Sequence, residues 1–477
     1  MTLWTKEEAL RATGGTHRGL DRDWSASGVS IDTRTLKPGD LFVALDGDNS
    51  DGHLYLDKAF EAGAAAALVH RVPAEFDHLG PLLEVGDTLK GLEALGIAAR
   101  ARTHAKIVAV TGSVGKTGTK EMLASVFAGQ GKTHASVASY NNHWGVPLTL
   151  ARMPADTEFG VFEIGMNHAG EITPLTKMVR PHAAIVTTVA AVHLENFASV
   201  EKIADAKAEI FAGVEPGGVA IINRDNEYFA RLAASATRTG IKVVEFGSHP
   251  STDVHLVKQV LLSDCSSVSA TVGGQAMAYK IGMPGAHLVM NSLSVLAAVY
   301  ALGADLALAG FALGELEAPK GRGRRHHIEL PMGTITLIDE SYNANPTSMR
   351  SALANLGQTV PLGRGRRIAV LGDMLELGPD EKALHAGLSD AIDESGVDLA
   401  FLAGPLMAAL ADALPVRIRG GHWKRAADLQ GPLIEALRDG DVVMVKGSFG
   451  SRMGPLVDAL TERGQSDDRA RVVAGGA

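Results

Sequence analysis

At 477 residues the chain is longer than one hydrophobic core organises, and at about 150 residues per domain three domains are expected. Hydrophobic residues at 46% and charged residues at 21% form an ordinary globular mix, which excludes a disordered or fibrous chain. The net charge of −9 excludes a broad nucleic-acid surface, and with Cys265 as the only cysteine no internal disulfide can form.

The first residues carry acidic charge and no apolar stretch, so no secretory signal is expected and the reading is cytoplasmic. The segment 39–45 reads as a turn and a strand, 55–67 as a helix and 67–69 as a second strand, which makes a small α/β domain at 1–104. A helical pattern at 89–103 precedes the apolar strand 107–110, which runs into a glycine loop and opens a second domain at 105–316. Strand candidates at 160–164, 183–189 and 218–222 alternate with helix-compatible sequence, as a parallel sheet with crossover helices requires.

The uncharged stretch 281–304 is long enough to raise a membrane span, but Pro284, His287, Asn291, Ser292 and Ser294 interrupt it. A loop followed by a buried helix fits better, and no stable membrane insertion is expected. Residues 316–327 combine helix breakers with dense charge and read as a connecting segment. Beyond it, strands at 335–338, 367–371, 399–402 and 442–445 alternate with helices, a third α/β domain with a parallel sheet at 317–477. The polar tail 465–477 is expected to fray.

Ligand chemistry is clearest at 111–117, Thr-Gly-Ser-Val-Gly-Lys-Thr, where a strand, a glycine turn and a helix start converge. Such a turn points backbone N–H groups at an anion. Gly112 and Gly115 let the main chain approach phosphate oxygens, with Ser113 and Val114 between them. Lys116 can contact the β and γ phosphates of ATP, and Thr117 can ligate magnesium. The usual pattern wants a further glycine where Val110 stands, so the loop is a short form.

Glu163 closes the strand 160–164, where an acidic residue at the C-terminal edge of a sheet can face a ligand crevice, and it is the candidate magnesium ligand. His193 follows another strand and can reach the same crevice, although a lone histidine is more often an ordinary core or surface residue. Lys207 falls inside an apolar helical stripe set by Ile203, Ile210, Phe211 and Val214. Either its stem lies along apolar surface with the ammonium in water, or it is a functional lysine with a lowered pKa.

With 111–117, Glu163, His193 and Lys207 in this order, the chain resembles the Mur ligases, ATP-dependent amide-forming enzymes of peptidoglycan synthesis. Two stretches of the third domain, 339–346 (Asp-Glu-Ser-Tyr-Asn-Ala-Asn-Pro) and 371–378 (Leu-Gly-Asp-Met-Leu-Glu-Leu-Gly), are similar to those of the branch that adds D-alanyl-D-alanine to UDP-N-acetylmuramoyl-tripeptide. The stretches 140–150, 163–172 and 445–448 agree, and the short loop is also the family's form.

The resemblance implies an N-terminal domain for the UDP-sugar, a central P-loop ATPase domain, and a C-terminal Rossmann-like domain for the incoming amine. It further implies Thr33 and Arg34 as uridine-diphosphate contacts, Asn142 and Asn343 as substrate contacts, Asn291 near the adenine and Asp339 near the ribose. Arg322, with Arg324 and Arg325 beside it, matches an arginine directed at phosphate. By the same match Glu163, His193 and Lys207 serve two magnesium sites, with Lys207 as a carbamate; a monomer is expected. Leu288 departs from the asparagine usual after His287.

Overall fold

The computed structural model describes residues 2–47, 50–72, 78–137, 139–191, 196–262 and 264–463. Three α/β sheets follow one another along the chain. The first has five strands in the spatial order Thr16–Gly19, Pro81–Glu84, Ala66–Val69, Asp40–Val43 and Gly28–Ser30, all parallel except the first pairing. Within it Leu41 and Val43 feed one core while Phe42 and Ala44 feed another, the two-sided burial that parallel strands require.

The central sheet has nine strands in the order Thr133–Ala135, Phe159–Glu163, Lys106–Thr111, Ala183–Val186, Val219–Asn223, Lys242–Gly247, Val254–Leu261, Ser266–Val272 and Gln275–Ile281. Pairings are parallel as far as Val254–Leu261, and the last two strands add antiparallel. Val108 and Val110 pack toward helices Lys116–Ala128 and Ala286–Ala301, whereas Ile107 and Ala109 pack on the opposite face. The order reverses around Lys106–Thr111, which puts the loop after that strand at a topological switch point.

The third sheet runs Arg324–Leu330, Gly333–Glu340, Val442–Lys446, Arg367–Gly372, Leu399–Ala403 and Arg419–Trp423, parallel apart from its first pairing. Three expectations are corrected. Residues 324–327, read as linker, begin an antiparallel edge strand whose charged side chains face outward. The helix read over 55–67 is α-helical only at Leu56–Glu61, because the chain turns at Gly63, φ 91°, before the strand Ala66–Val69. The strand read over 183–189 stops at Val186, where the backbone leaves the sheet toward the glycine loop. Stretch 281–304 is a loop followed by helix Ala286–Ala301, and no helix among the described residues is long and apolar enough to cross a membrane.

Candidate functional site

The strand Lys106–Thr111 ends in the glycine loop, and helix Lys116–Ala128 starts at its far side. Gly112 and Gly115 take φ 151° and 89°, conformations that L side chains rarely adopt. A Cβ on Gly112 would run into Thr187, and one on Gly115 would lie 2.9 Å from Asn291 Oδ1. The loop is also tied to its neighbours. Thr187 Oγ1 donates to Val114 O at 2.6 Å, Ser113 N to Thr188 O at 2.8 Å, and Ser113 Oγ to Ala190 O at 3.0 Å. Asn291 therefore buttresses the loop from helix Ala286–Ala301, where the resemblance expects it beside a nucleotide.

Lys116 Nζ donates to Gly112 O at 2.7 Å. Burial holds its pKa below that of a free lysine, the Glu163 carboxylate opposes this, and the Arg322 guanidinium adds to it. Three sequence-distant groups thus share one field. Thr117 is buried in the first helical turn.

Glu163, 1% exposed, closes the strand Phe159–Glu163. Its Oε1 accepts from Asn141 Nδ2 at 2.7 Å, while its Oε2 is buried with no partner among the described residues. A carboxylate oxygen left bare in this way is costly, and a hard cation answers it. Glu163 and the Thr117 hydroxyl therefore fit magnesium. No group of three or more His, Cys, Asp or Glu able to hold a metal occurs among the described residues.

Lys207, in helix Val200–Ala208, is 2% exposed and makes no hydrogen bond or ion pair among the described residues. Burial pushes its pKa well below the ordinary value, and the Lys116 charge lowers it further. The side chain is sequestered rather than laid along an apolar surface toward water. His193 lies outside the described residues.

Across from the loop stands the third sheet, and between them is a cleft of about 600 Å³. Ser113 and Lys116 form one wall; Asn343, Asn345, Glu376 and Ser448 form the other. Asn343 Oδ1 accepts from Ala344 N at 2.9 Å, and Asn343 O accepts from the buried Lys446 Nζ at 2.9 Å, which also reaches Glu340 at 3.4 Å. Ser448 Oγ takes Leu375 N at 3.0 Å and donates to Ala344 O at 3.2 Å, fastening three strand-end loops together.

Of the three neighbouring arginines only Arg322 reaches this region, its guanidinium 4.1 Å from the Tyr342 ring centroid. Arg324 is exposed on the edge strand, and Arg325 donates to Thr359 Oγ1 at 2.9 Å. Asp339, expected near a ribose, is fully buried, and its carboxylate oxygens accept from Gly321 N at 2.7 Å, Ser341 N at 3.1 Å and Ser341 Oγ at 2.6 Å.

Thr33 and Arg34 do not line this cleft. Arg34 is exposed and forks onto Asp32, Nε to Oδ1 at 3.0 Å and Nη2 to Oδ2 at 2.7 Å, and this pairing holds the Asp32 carboxyl below its usual range. Asn142 Oδ1 accepts from Gly145 N at 2.9 Å at the start of helix Gly145–Ala151. Sequence reasoning did not single out Tyr342, Glu376 or Phe449, which also line the cleft. The available signal was their position just after strands of a parallel sheet.

Three family models match the chain: "Mur ligase family, catalytic domain" at 25–78, "Mur ligase middle domain" at 110–299, and "Mur ligase, glutamate ligase domain" at 323–449. Among similar proteins, the UDP-N-acetylmuramoyl-tripeptide–D-alanyl-D-alanine ligase of Escherichia coli is 36% identical over 82% of this chain and 84% of its own length. That of Rickettsia prowazekii is 32% identical over 84% and 88%. A crystal structure of MurF from Acinetobacter baumannii superposes with a TM-score of 0.84 at 28% identity, covering 96% of this chain and 99% of the other. MurF from Thermotoga maritima in complex with ADP, at 23% identity and a TM-score of 0.77 over 92% and 98%, shares the fold.

Proposed function

The chain belongs to the Mur ligase family, and from that membership we propose that it joins D-alanyl-D-alanine to UDP-N-acetylmuramoyl-tripeptide at the expense of ATP, giving the pentapeptide precursor of peptidoglycan. It is an ATP-dependent ligase. The observation that carries the reading is that the phosphate loop with Lys116 and the 343–345 loop form opposite walls of one cleft. A nucleotide on the first wall and an amine on the second would meet there.

A carboxylate is a poor electrophile because its oxygen is a poor leaving group. The terminal carboxylate oxygen of the tripeptide attacks the γ-phosphorus of ATP, the bond to the bridging oxygen breaks, and ADP leaves. The acyl phosphate then takes the dipeptide amine at its carbonyl carbon, the amine gives up a proton, and inorganic phosphate departs with the electron pair. Lys116 and Arg322 offset charge on the transferring phosphoryl group. Glu163 and Thr117, with His193, would hold magnesium, which supplies further charge neutralisation when bound.

Residues 1–104 take the UDP-sugar through Thr33 and Arg34, 105–316 take ATP with Asn291 near the adenine, and 317–477 take the dipeptide with Asn343 near it. The protein works in the cytoplasm as a monomer. A buried lysine with a lowered pKa is the form of amine that adds carbon dioxide, so Lys207 as a carbamate would bring an anion toward a second magnesium ion. Turnover that falls in CO₂-stripped buffer and returns with bicarbonate supports this, whereas indifference to bicarbonate removes it.

The deciding assay is phosphate release from ATP with UDP-N-acetylmuramoyl-tripeptide, comparing D-alanyl-D-alanine, single amino acids and no amine. Release that needs both substrates, with the pentapeptide mass, is the expected result. Release with a single amino acid and a shorter acceptor overturns the choice of branch.

A further inference from the structure

Arg322, in the segment that leads into the third sheet, carries a charge that acts on Lys116, and Tyr342 shapes its surroundings. The Tyr342 ring lies under the guanidinium at 4.1 Å. Tyr342 N donates to Gly321 O at 3.1 Å, so the same residue also fixes the backbone one position before the arginine. Asp339, three residues upstream, takes Gly321 N at 2.7 Å on its carboxylate and Gly323 N at 2.7 Å on its carbonyl oxygen, clamping the segment from both sides. Tyr342 also reaches out of its own sheet. Its hydroxyl donates to Ser139 Oγ at 3.0 Å in the central domain, and Arg322 Nη2 approaches the same oxygen at 3.5 Å.

An arginine on a flexible stem loses rotamer entropy when it must meet a phosphate, and a flat aromatic surface beneath the guanidinium removes much of that cost before the ligand arrives. The hydroxyl contact adds a condition, since it exists only while the two domains are docked at Ser139. We propose that Tyr342 is a positioning residue that holds Arg322 toward the terminal phosphate of the nucleotide and latches the third domain to Ser139, so that domain docking and arginine placement are one event. This also gives the buried Asp339 a task, as the clamp beneath the Arg322 loop.

The proposal rests on the reading of Arg322 as a phosphate-facing arginine in an ATP-dependent ligase. Binding of a non-hydrolysable ATP analogue and of ADP, measured by calorimetry on the full chain, tests it without any amine substrate. Tyr342→Leu is expected to weaken the analogue by about tenfold relative to ADP, as Arg322→Ala does, with no further loss in the double variant. Tyr342→Phe keeps the ring but loses the hydroxyl contact, and is expected to weaken the analogue relative to ADP about threefold and to lower turnover about fivefold, matching Ser139→Ala and not compounding with it. An unchanged ratio in Tyr342→Leu, equal weakening of both nucleotides, or losses in Tyr342→Phe and Ser139→Ala that multiply would each overturn it. A wild-type protein that releases phosphate without needing tripeptide and dipeptide would sink the ligase reading instead, and the binding ratios would still decide the latch.

Discussion

Lys207 is a buried amine that no carboxylate answers among the described residues. Such a group costs folding free energy when charged, because its desolvation is not repaid by a partner. A side chain kept at that cost is expected to serve function rather than packing. Lys207→Met fills the same volume without the charge, so it is expected to stabilise the unliganded protein by about 1–2 kcal/mol while lowering turnover at least 100-fold. The sign of the pH dependence follows. The folded-state pKa lies below the unfolded value of 10.5, so the unfolded chain holds more protons between those two values and stability rises with pH across that window. The substitution removes that rise. Thermal melts from neutral to alkaline pH, beside phosphate release, check both, and a destabilised Lys207→Met would mean that the lysine has a partner.

At the scale of elements, the join between strand Lys106–Thr111 and helix Lys116–Ala128 depends on backbone freedom at Gly112 and Gly115. Gly112→Ala forces a φ of 151° on an L side chain and drives its Cβ into Thr187, whose hydroxyl holds Val114 in place. The expected result is a loss of about 2–3 kcal/mol in stability and of ADP affinity by at least tenfold, read by melting and calorimetry. This join was legible from the sequence because its apolar strand, glycines and Lys-Thr pair lie within a dozen consecutive residues. The strands Val254–Leu261, Ser266–Val272 and Gln275–Ile281 were not read. Their alternation is the ordinary signal of a half-exposed sheet, yet it sits between glycines and serines that resemble loop. Arg324–Leu330 was hidden for a related reason, since an edge strand carries charge on its open face. Asp339 and Tyr342 fell inside a motif that resemblance could flag, but their partners, Gly321 and Ser139, are distant in sequence. Only the fold could show that the aspartate clamps a loop and the tyrosine crosses a domain boundary.

Across the whole molecule the two domain junctions differ in kind, and the difference predicts which one moves. The first domain shares a core with the central one, in which Trp4, Leu92 and Leu95 pack with Leu148 and Ala151. Trp4 Nε1 donates to Ala151 O at 2.8 Å, and Arg102 covers the Trp4 ring at 4.1 Å. Separating those domains would expose apolar area and is costly. The third domain's cores contain no central-domain residue, and at the mouth of the cleft it meets the central domain through Ser139, Tyr342 and Arg322. Polar contacts of this kind exchange readily with water, so this junction is expected to be the hinge side of the molecule. Opening there would admit ATP and dipeptide, and docking would shield the acyl phosphate from hydrolysis. The radius of gyration from X-ray scattering is therefore expected to be larger without ligands and to fall when ATP analogue and both substrates are added. Tyr342→Phe should shift the balance toward the open form without altering the first junction. Scattering curves that superimpose with and without ligands would contradict the hinge and leave the third domain permanently docked.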